Sequence, residues 1–237
     1  MARYALAEHV FVCLNGEHLV LLDLKEDRYW ALEAAQTAGL GALVSGWPVG
    51  ATEADSESAS AEASAALEVL QGRGLLREGI PPGKDATPVK PTAPATELIS
   101  ETEPSTGPRL GSWLRFFTAS AFAKFVLRTW PFERVIQRVR QRKRLLGAQT
   151  GRLDVDRARK LVEAFMRFRI FLFSSKNECL YDSLALLEFL ARYGIYPDWV
   201  FGVQTRPFAA HCWVQQGDIV FNDTVEHVSG YTPIMVV

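Results

Sequence analysis

Cysteine is scarce. Cys13, Cys179 and Cys212 are the only three in 237 residues, and an odd, small number excludes a disulfide framework and points to a reducing compartment. No run of about eighteen consecutive apolar residues is present, which excludes a membrane-spanning helix. Residues 1–7 lack the basic, apolar and small-residue succession of a secretory signal, so the chain is expected to be cytoplasmic. Gly83-Lys84 is followed by Asp85 where a phosphate-binding loop needs a hydroxyl, so no nucleotide site is visible. Large apolar residues are almost missing between residues 81 and 108, a stretch that holds seven of the twelve prolines. Such a segment cannot build a core and is expected to be an extended, poorly ordered linker.

What is present is globular in character, with 48 % hydrophobic and 22 % charged residues. The net charge of -1 conceals a division. Residues 1–107 hold seven Lys and Arg against sixteen Asp and Glu, and residues 108–237 hold nineteen against eleven. Such an asymmetry fits two units of different character, able to attract one another or to steer a charged substrate, or simply two solvated surfaces. The expected division is a small domain at 1–79, a Pro-rich linker at 80–112 and a larger domain at 113–237.

In the first domain, residues 10–14, 18–24 and 28–32 alternate as strands. Asn15-Gly16 marks a hairpin because both residues tolerate positive φ. Two helical patterns follow at residues 32–44 and 56–71, with Leu67, Leu70, Leu75 and Leu76 placed to pack back on the sheet. His9, Cys13 and His18 read as core or surface filling, and no metal site is expected. A small meander with helices and no cluster of reactive side chains suits a binding module, and an exposed edge strand can capture an extended peptide.

The second domain opens on residues 113–130, whose aromatic residues recur at helical spacing between Arg115, Lys124 and Arg128. The pattern reads as a helix packed on its own domain rather than one lying on a membrane surface. The basic run Arg138, Arg140, Arg142, Lys143 and Arg144 lacks the aromatic interleaving of a nucleic-acid site and reads as a solvated helix face.

The chemistry gathers further on. The polar stretch 174–178 precedes Cys179, and Leu180, Leu184, Leu187 and Leu190 then recur at helical spacing up to Gly194. Cys179 is therefore expected in the first turn of a helix, where unpaired N–H groups and the helix dipole stabilise a thiolate and a developing oxyanion. A thiolate nucleophile needs a base, and the base needs an orienting acceptor. Residues 199–205, 211–215 and 219–224 read as strands, with a turn at 216–218. A three-residue turn places His211 opposite Asp223, whereas a two-residue turn places it opposite Asn222, whose amide can also orient an imidazole. His227 and Asp218 are spare candidates. Cys212 follows His211 on the strand, so its side chain is expected on the opposite face.

With Glu178-Cys179-Leu180, Ser183 to Leu186, Gly202-Val203, Pro207-Phe208, Ala210-His211-Cys212-Trp213-Val214 and Asn222-Asp223 in view, this part resembles the lasso peptide B proteins. Those are transglutaminase-like cysteine proteases that remove the leader from a ribosomally made lasso precursor. Cys212 stands where that family more often has Ala. The N-terminal part is similar in pattern to the PqqD-like precursor-recognition module.

The resemblance implies an α+β architecture: a small winged-helix-like, three-stranded domain, then a papain- or transglutaminase-like domain of helices packed on an antiparallel sheet. It implies catalytic roles for Cys179, His211 and Asp223, and leader contacts at Tyr29, Trp30 and Leu67. The implied partners are the lasso precursor and the lasso cyclase, with neither nucleic acid nor membrane. No cofactor is expected in this chain; ATP dependence enters through the cyclase in some family members. The rival expectations are a transglutaminase-type acyltransferase and a non-catalytic precursor-binding adaptor.

Overall fold

The computed structural model describes residues 4–48, 57–79, 83–99, 110–147, 153–169 and 179–237. It is a mixed α+β chain that divides into two compact units. The first gathers residues 1–90, 203–209 and 232–235, and the second gathers 91–202, 210–231 and 236–237.

In the first unit, β1 (Tyr4–Leu6) will be paired later in the chain, while β2 (Val10–Asn15), β3 (His18–Asp23) and β4 (Arg28–Glu33) form an antiparallel sheet in that order. Asn15 pairs with His18, and Gly16 takes φ +58, the conformation for which a hairpin turn selects glycine. The register aligns Val12, Leu21 and Trp30 in one row and Leu14, Leu19 and Leu32 in another. The expected helix at 32–44 is shorter: α1 covers only Ala34–Thr37 and gives way to a 3₁₀ turn at Ala38–Ala42. Gly39 and Gly41 account for this, since each disfavours continued α-helix. Next, α2 (Glu57–Gly72) places Leu70 in the core, and β5 (Leu76–Glu78) pairs antiparallel with β1. Leu6, Val12, Leu19, Leu21, Leu70 and Leu75 form one buried cluster, with Trp30 and Leu67 packed against it.

The described part of the Pro-rich stretch is held by main-chain hydrogen bonds. Leu6 and Lys84 exchange main-chain hydrogen bonds at 2.9 and 2.8 Å, and Ala86 N–H donates to Ser45 at 2.7 Å. Further on, β6 (Thr96–Glu97) runs parallel to a later strand of the second unit, and Leu98 is fully buried. Main-chain pairing along sheet edges tolerates such a composition, because prolines between the paired residues cost no ladder bonds.

The second unit contains α3 (Leu110–Thr129), α4 (Phe132–Leu146), α5 (Val155–Arg169) and α6 (Cys179–Ala191). A five-stranded sheet follows in the order β10-β7-β8-β9-β6. Its strands are β7 (Asp198–Thr205), β8 (Phe208–Gln216), β9 (Ile219–Val220) and β10 (Thr232–Val236), with α7 (Val225–Ser229) before the last. α3 turns Phe116, Ala119, Ala123 and Val126 inward, which makes it a packing helix. Phe116 meets Phe165, Phe168 and Phe189 with ring centroids 5.2 to 6.5 Å apart. Among the described residues no helix is long and apolar enough to cross a membrane.

The basic run on α4 is only partly a solvated face. Arg142 lies 2.7 Å from the buried Glu188 of α6, with Arg138 and Arg192 at 3.8 and 3.9 Å from the same carboxylate, and Lys143 pairs with Asp198. A buried carboxylate must be matched by cations, so this charge has a structural cause.

Gly202 on β7 is a close-packing position. A Cβ there would sit 2.9 Å from Tyr231 Cβ and 3.0 Å from the Trp213 indole. Gly202→Ala is expected to lower unfolding free energy by about 1–3 kcal/mol, the usual cost of overpacking. A urea titration against the parent protein measures this; an unchanged midpoint would show that the two rings yield freely.

Candidate active site

Two elements supply the reactive groups. Cys179 is the first residue of α6, and residues 174–178, the polar approach read from the sequence, lie outside the described residues. His211 is the fourth residue of β8 rather than its first, because the strand already begins at Phe208.

The third group arrives by a route that differs from the expected one. Gln216 pairs with Ile219, so the turn is the two residues Gly217-Asp218, with Gly217 at φ +60, and not 216–218. Continued pairing in that register would set Thr224 opposite His211. Instead β9 ends at Val220. Phe221 N–H still donates to Val214 O at 2.9 Å, but Val214 N–H donates to the side-chain Oδ1 of Asn222 at 2.8 Å. The Asn222 side chain thus takes a main-chain place in the ladder and the backbone is released. Asp223 then reaches His211, with Oδ2 2.5 Å from Nε2.

Beneath the site lies a polar network absent from the sequence reading. Asn222 Nδ2 donates to Asp182 Oδ2 at 3.2 Å and to Ser183 Oγ at 3.1 Å, and Ser183 Oγ donates to Cys212 O at 3.1 Å. Arg169 Nε lies 3.0 Å from the buried Asp182. Burial raises the Asp182 carboxyl above its usual range, and Arg169 and Asn222 oppose that rise. One signal was available: Asp182 and Ser183 are polar residues inside a mostly apolar helix, one turn from Cys179.

Cys212 is buried, and its Sγ lies 3.9 Å from Ser183 Oγ on α6. It also lies close enough to Cys179 to lower the pKa of that thiol. Burial keeps the Cys212 thiol protonated. The Cys212 thiol pushes the Cys179 pKa down, burial works against it, and His211 adds to the drop, leaving Cys179 at about 4. Burial opposes protonation of His211, but Asp223 and Cys179 outweigh it and raise the imidazole to about 9. Asp223 is itself buried in part, yet donors from His211, Thr224 N–H and His227 hold its carboxyl below the usual range. Burial and the adjacent Cys179 push Cys212 well above an ordinary thiol. Between pH about 4 and about 9 the dominant form is thiolate with imidazolium. Since Nε2 of His211 is engaged by Asp223, Nδ1 is the nitrogen left for Cys179.

Donor atoms of His211, Asp223 and His227 fall within 4.8 Å of one another. Both imidazoles present N–H to the same carboxylate, at 2.5 Å and at 2.9 and 3.0 Å. The group is a hydrogen-bonded chain, and a metal would have to displace those protons. Asp218 sits in the β8–β9 turn and takes no part; its carbonyl accepts Ala95 and Thr96 N–H. Of the residues read as leader contacts, Trp30 and Leu67 pack against the core cluster of the first unit, with the Arg73 guanidinium 4.0 Å above the Trp30 ring. Tyr29 projects to the other face of β4 and meets Phe208 edge-on at 5.7 Å. Cys13 is fully buried, which pushes its thiol up to about 12, consistent with core filling.

A cysteine at a helix start, a histidine on an adjoining strand and an aspartate on that histidine make up the constellation of thiol-dependent acyl chemistry. In agreement with this, a family model described as the transglutaminase-like superfamily matches residues 121–236. Residues 121–236 are thus similar to the transglutaminase-like superfamily, a class that includes cysteine peptidases and acyltransferases. No curated protein and no solved structure matches the chain.

Alkylation of Cys179 by iodoacetamide, followed by intact mass, is expected to rise through pH about 4 rather than near the ordinary thiol value. Cys212→Ala removes the group that lowers the Cys179 pKa most and should move that rise to higher pH. An unshifted curve in the variant would show that His211 alone holds the thiolate.

Proposed function

We propose that the protein is a leader peptidase of lasso peptide biosynthesis, a cysteine endopeptidase that cuts its precursor at the junction of leader and core. The observation that carries this reading is the Cys179–His211–Asp223 arrangement, on residues that resemble those of the lasso peptide B proteins. The Cys179 thiolate attacks the peptide carbonyl at the junction, and the Nδ1 proton of His211 passes to the leaving amine. The core leaves with a free N-terminus, and water hydrolyses the thioester to release the leader. Asp223 holds the His211 ring and stabilises the imidazolium. Helix-start N–H groups have no acceptor within their own helix, so the Cys179 main chain is the natural donor to the oxyanion.

In this reading the first unit is the PqqD-like, winged-helix-like recognition module. Its edge strand β4 belongs to a sheet ordered β2-β3-β4 and takes up the leader as an added strand, near Trp30, Tyr29 and Leu67. The cyclase closes the ring on the new amine, and any ATP requirement enters through that partner.

The test is mass spectrometry of a lasso precursor peptide incubated with the protein and with Cys179→Ala, each with and without the cyclase. Leader and core fragments whose masses sum to substrate plus water, formed by the parent protein alone, are expected. A cross-linked or acylated product would make the enzyme an acyltransferase, and equal processing by both proteins would leave a precursor-binding adaptor.

A further inference from the structure

One imidazole at the site has no part in the reaction just described. His227 lies on α7, four residues beyond Asp223, and its Nδ1 is 2.9 Å from Oδ1 and 3.0 Å from Oδ2 of that carboxylate. Its position is built into the chain. Thr224 Oγ1 caps the helix by accepting His227 N–H at 3.2 Å, while Thr224 N–H donates to Asp223 Oδ1 at 2.8 Å. The His227 ring stands 4.7 Å from the His211 ring and 5.5 Å, edge-on, from Tyr231. Its side chain is half exposed, so burial gives no reason for an imidazole there. The hydrogen bond to Asp223 does.

We propose that His227 is a positioning residue that acts through Asp223: its Nδ1–H fixes the carboxylate and draws off part of its charge, tempering the basicity of His211. This rests on the reading of Cys179, His211 and Asp223 as a thiol centre. A carboxylate that accepts three N–H donors spreads its charge among them. With one donor removed, Thr224 N–H and His211 still hold the group in place, and more of its charge falls on His211. The imidazolium then becomes more stable and a poorer donor to the leaving amine. The titratable groups that face His227 are Asp223 before α7, His211 on β8 and Tyr231 after α7, with Glu226 beside it on its own helix.

His227→Phe and His227→Ala remove the donor with and without the ring's volume. His227→Asn keeps an N–H at the position of Nδ1. The first readout is the pH profile of Cys179 alkylation by iodoacetamide in the full chain, which needs no substrate. The basic step, about pH 9 in the parent protein, should rise by about half a unit or more in both donorless variants and stay in place in His227→Asn. The second readout is peptide cleavage: kcat should fall about tenfold without His227, KM should hold, and Asn should restore the rate. A basic step unmoved or lowered in the donorless variants, or moved equally in His227→Asn, overturns the proposal. A parent protein that cleaves no peptide yet gives the expected alkylation shifts would remove the peptidase reading and leave this one standing.

Discussion

The site depends on one side chain that behaves as main chain. Asn222 accepts the N–H of Val214 that β9 would otherwise have taken, and with its other end it donates to Asp182 and Ser183 of α6. One amide therefore ends a strand and ties that strand to the helix that opens with Cys179. Buried main-chain donors are seldom left unpaired, so β9 can stop only where something replaces its carbonyl. Asparagine has both the acceptor and the two donors required. Because the strand stops there, Asp223 turns toward His211 and does not continue along the sheet.

Much of this was legible in the residues, though unevenly. The three strands of the first unit showed themselves by alternation and by Asn15-Gly16, and α6 by its leucine spacing after a polar stretch. The strands β1 and β5 did not, since three residues hold barely more than one period. The meeting of His211 and Asp223 was anticipated from a three-residue turn, and it forms around a two-residue turn followed by a broken strand. Register read from turn length assumes that the ladder continues, and a side chain inserted into the ladder defeats that assumption. Asn222 had been weighed only as a rival partner for His211, because an amide beside an aspartate carries no mark of which will leave the sheet. Alternation puts successive side chains on opposite faces of β8, and Cys212 is accordingly buried against Ser183 of α6.

Electrostatics on the helical side obeys the same accounting of buried polar groups. Glu188 is an anion inside α6, and Arg138, Arg142 and Arg192 converge on it. What reads in one dimension as a solvated basic face is partly the internal counterion of a residue about fifty positions away. The carboxylates Asp182 and Glu188 thus anchor opposite ends of α6, one toward Arg169 and the other toward α4. The helix that presents the thiol is clamped along its length.

The small strand β6 has a consequence for anyone who would excise the C-terminal part. It occupies the outer edge of the five-stranded sheet beside β9, and Glu97 Oε2 accepts the N–H of Val225, the first residue of α7. Gln215 also donates to Thr92 O. A fragment begun at α3 would bare a sheet edge open to other chains. It would also leave the helix that carries His227 without that acceptor. Residues between the prolines are therefore a lid on the sheet's flank as well as a tether, and a self-sufficient C-terminal piece of this chain has to start upstream of β6.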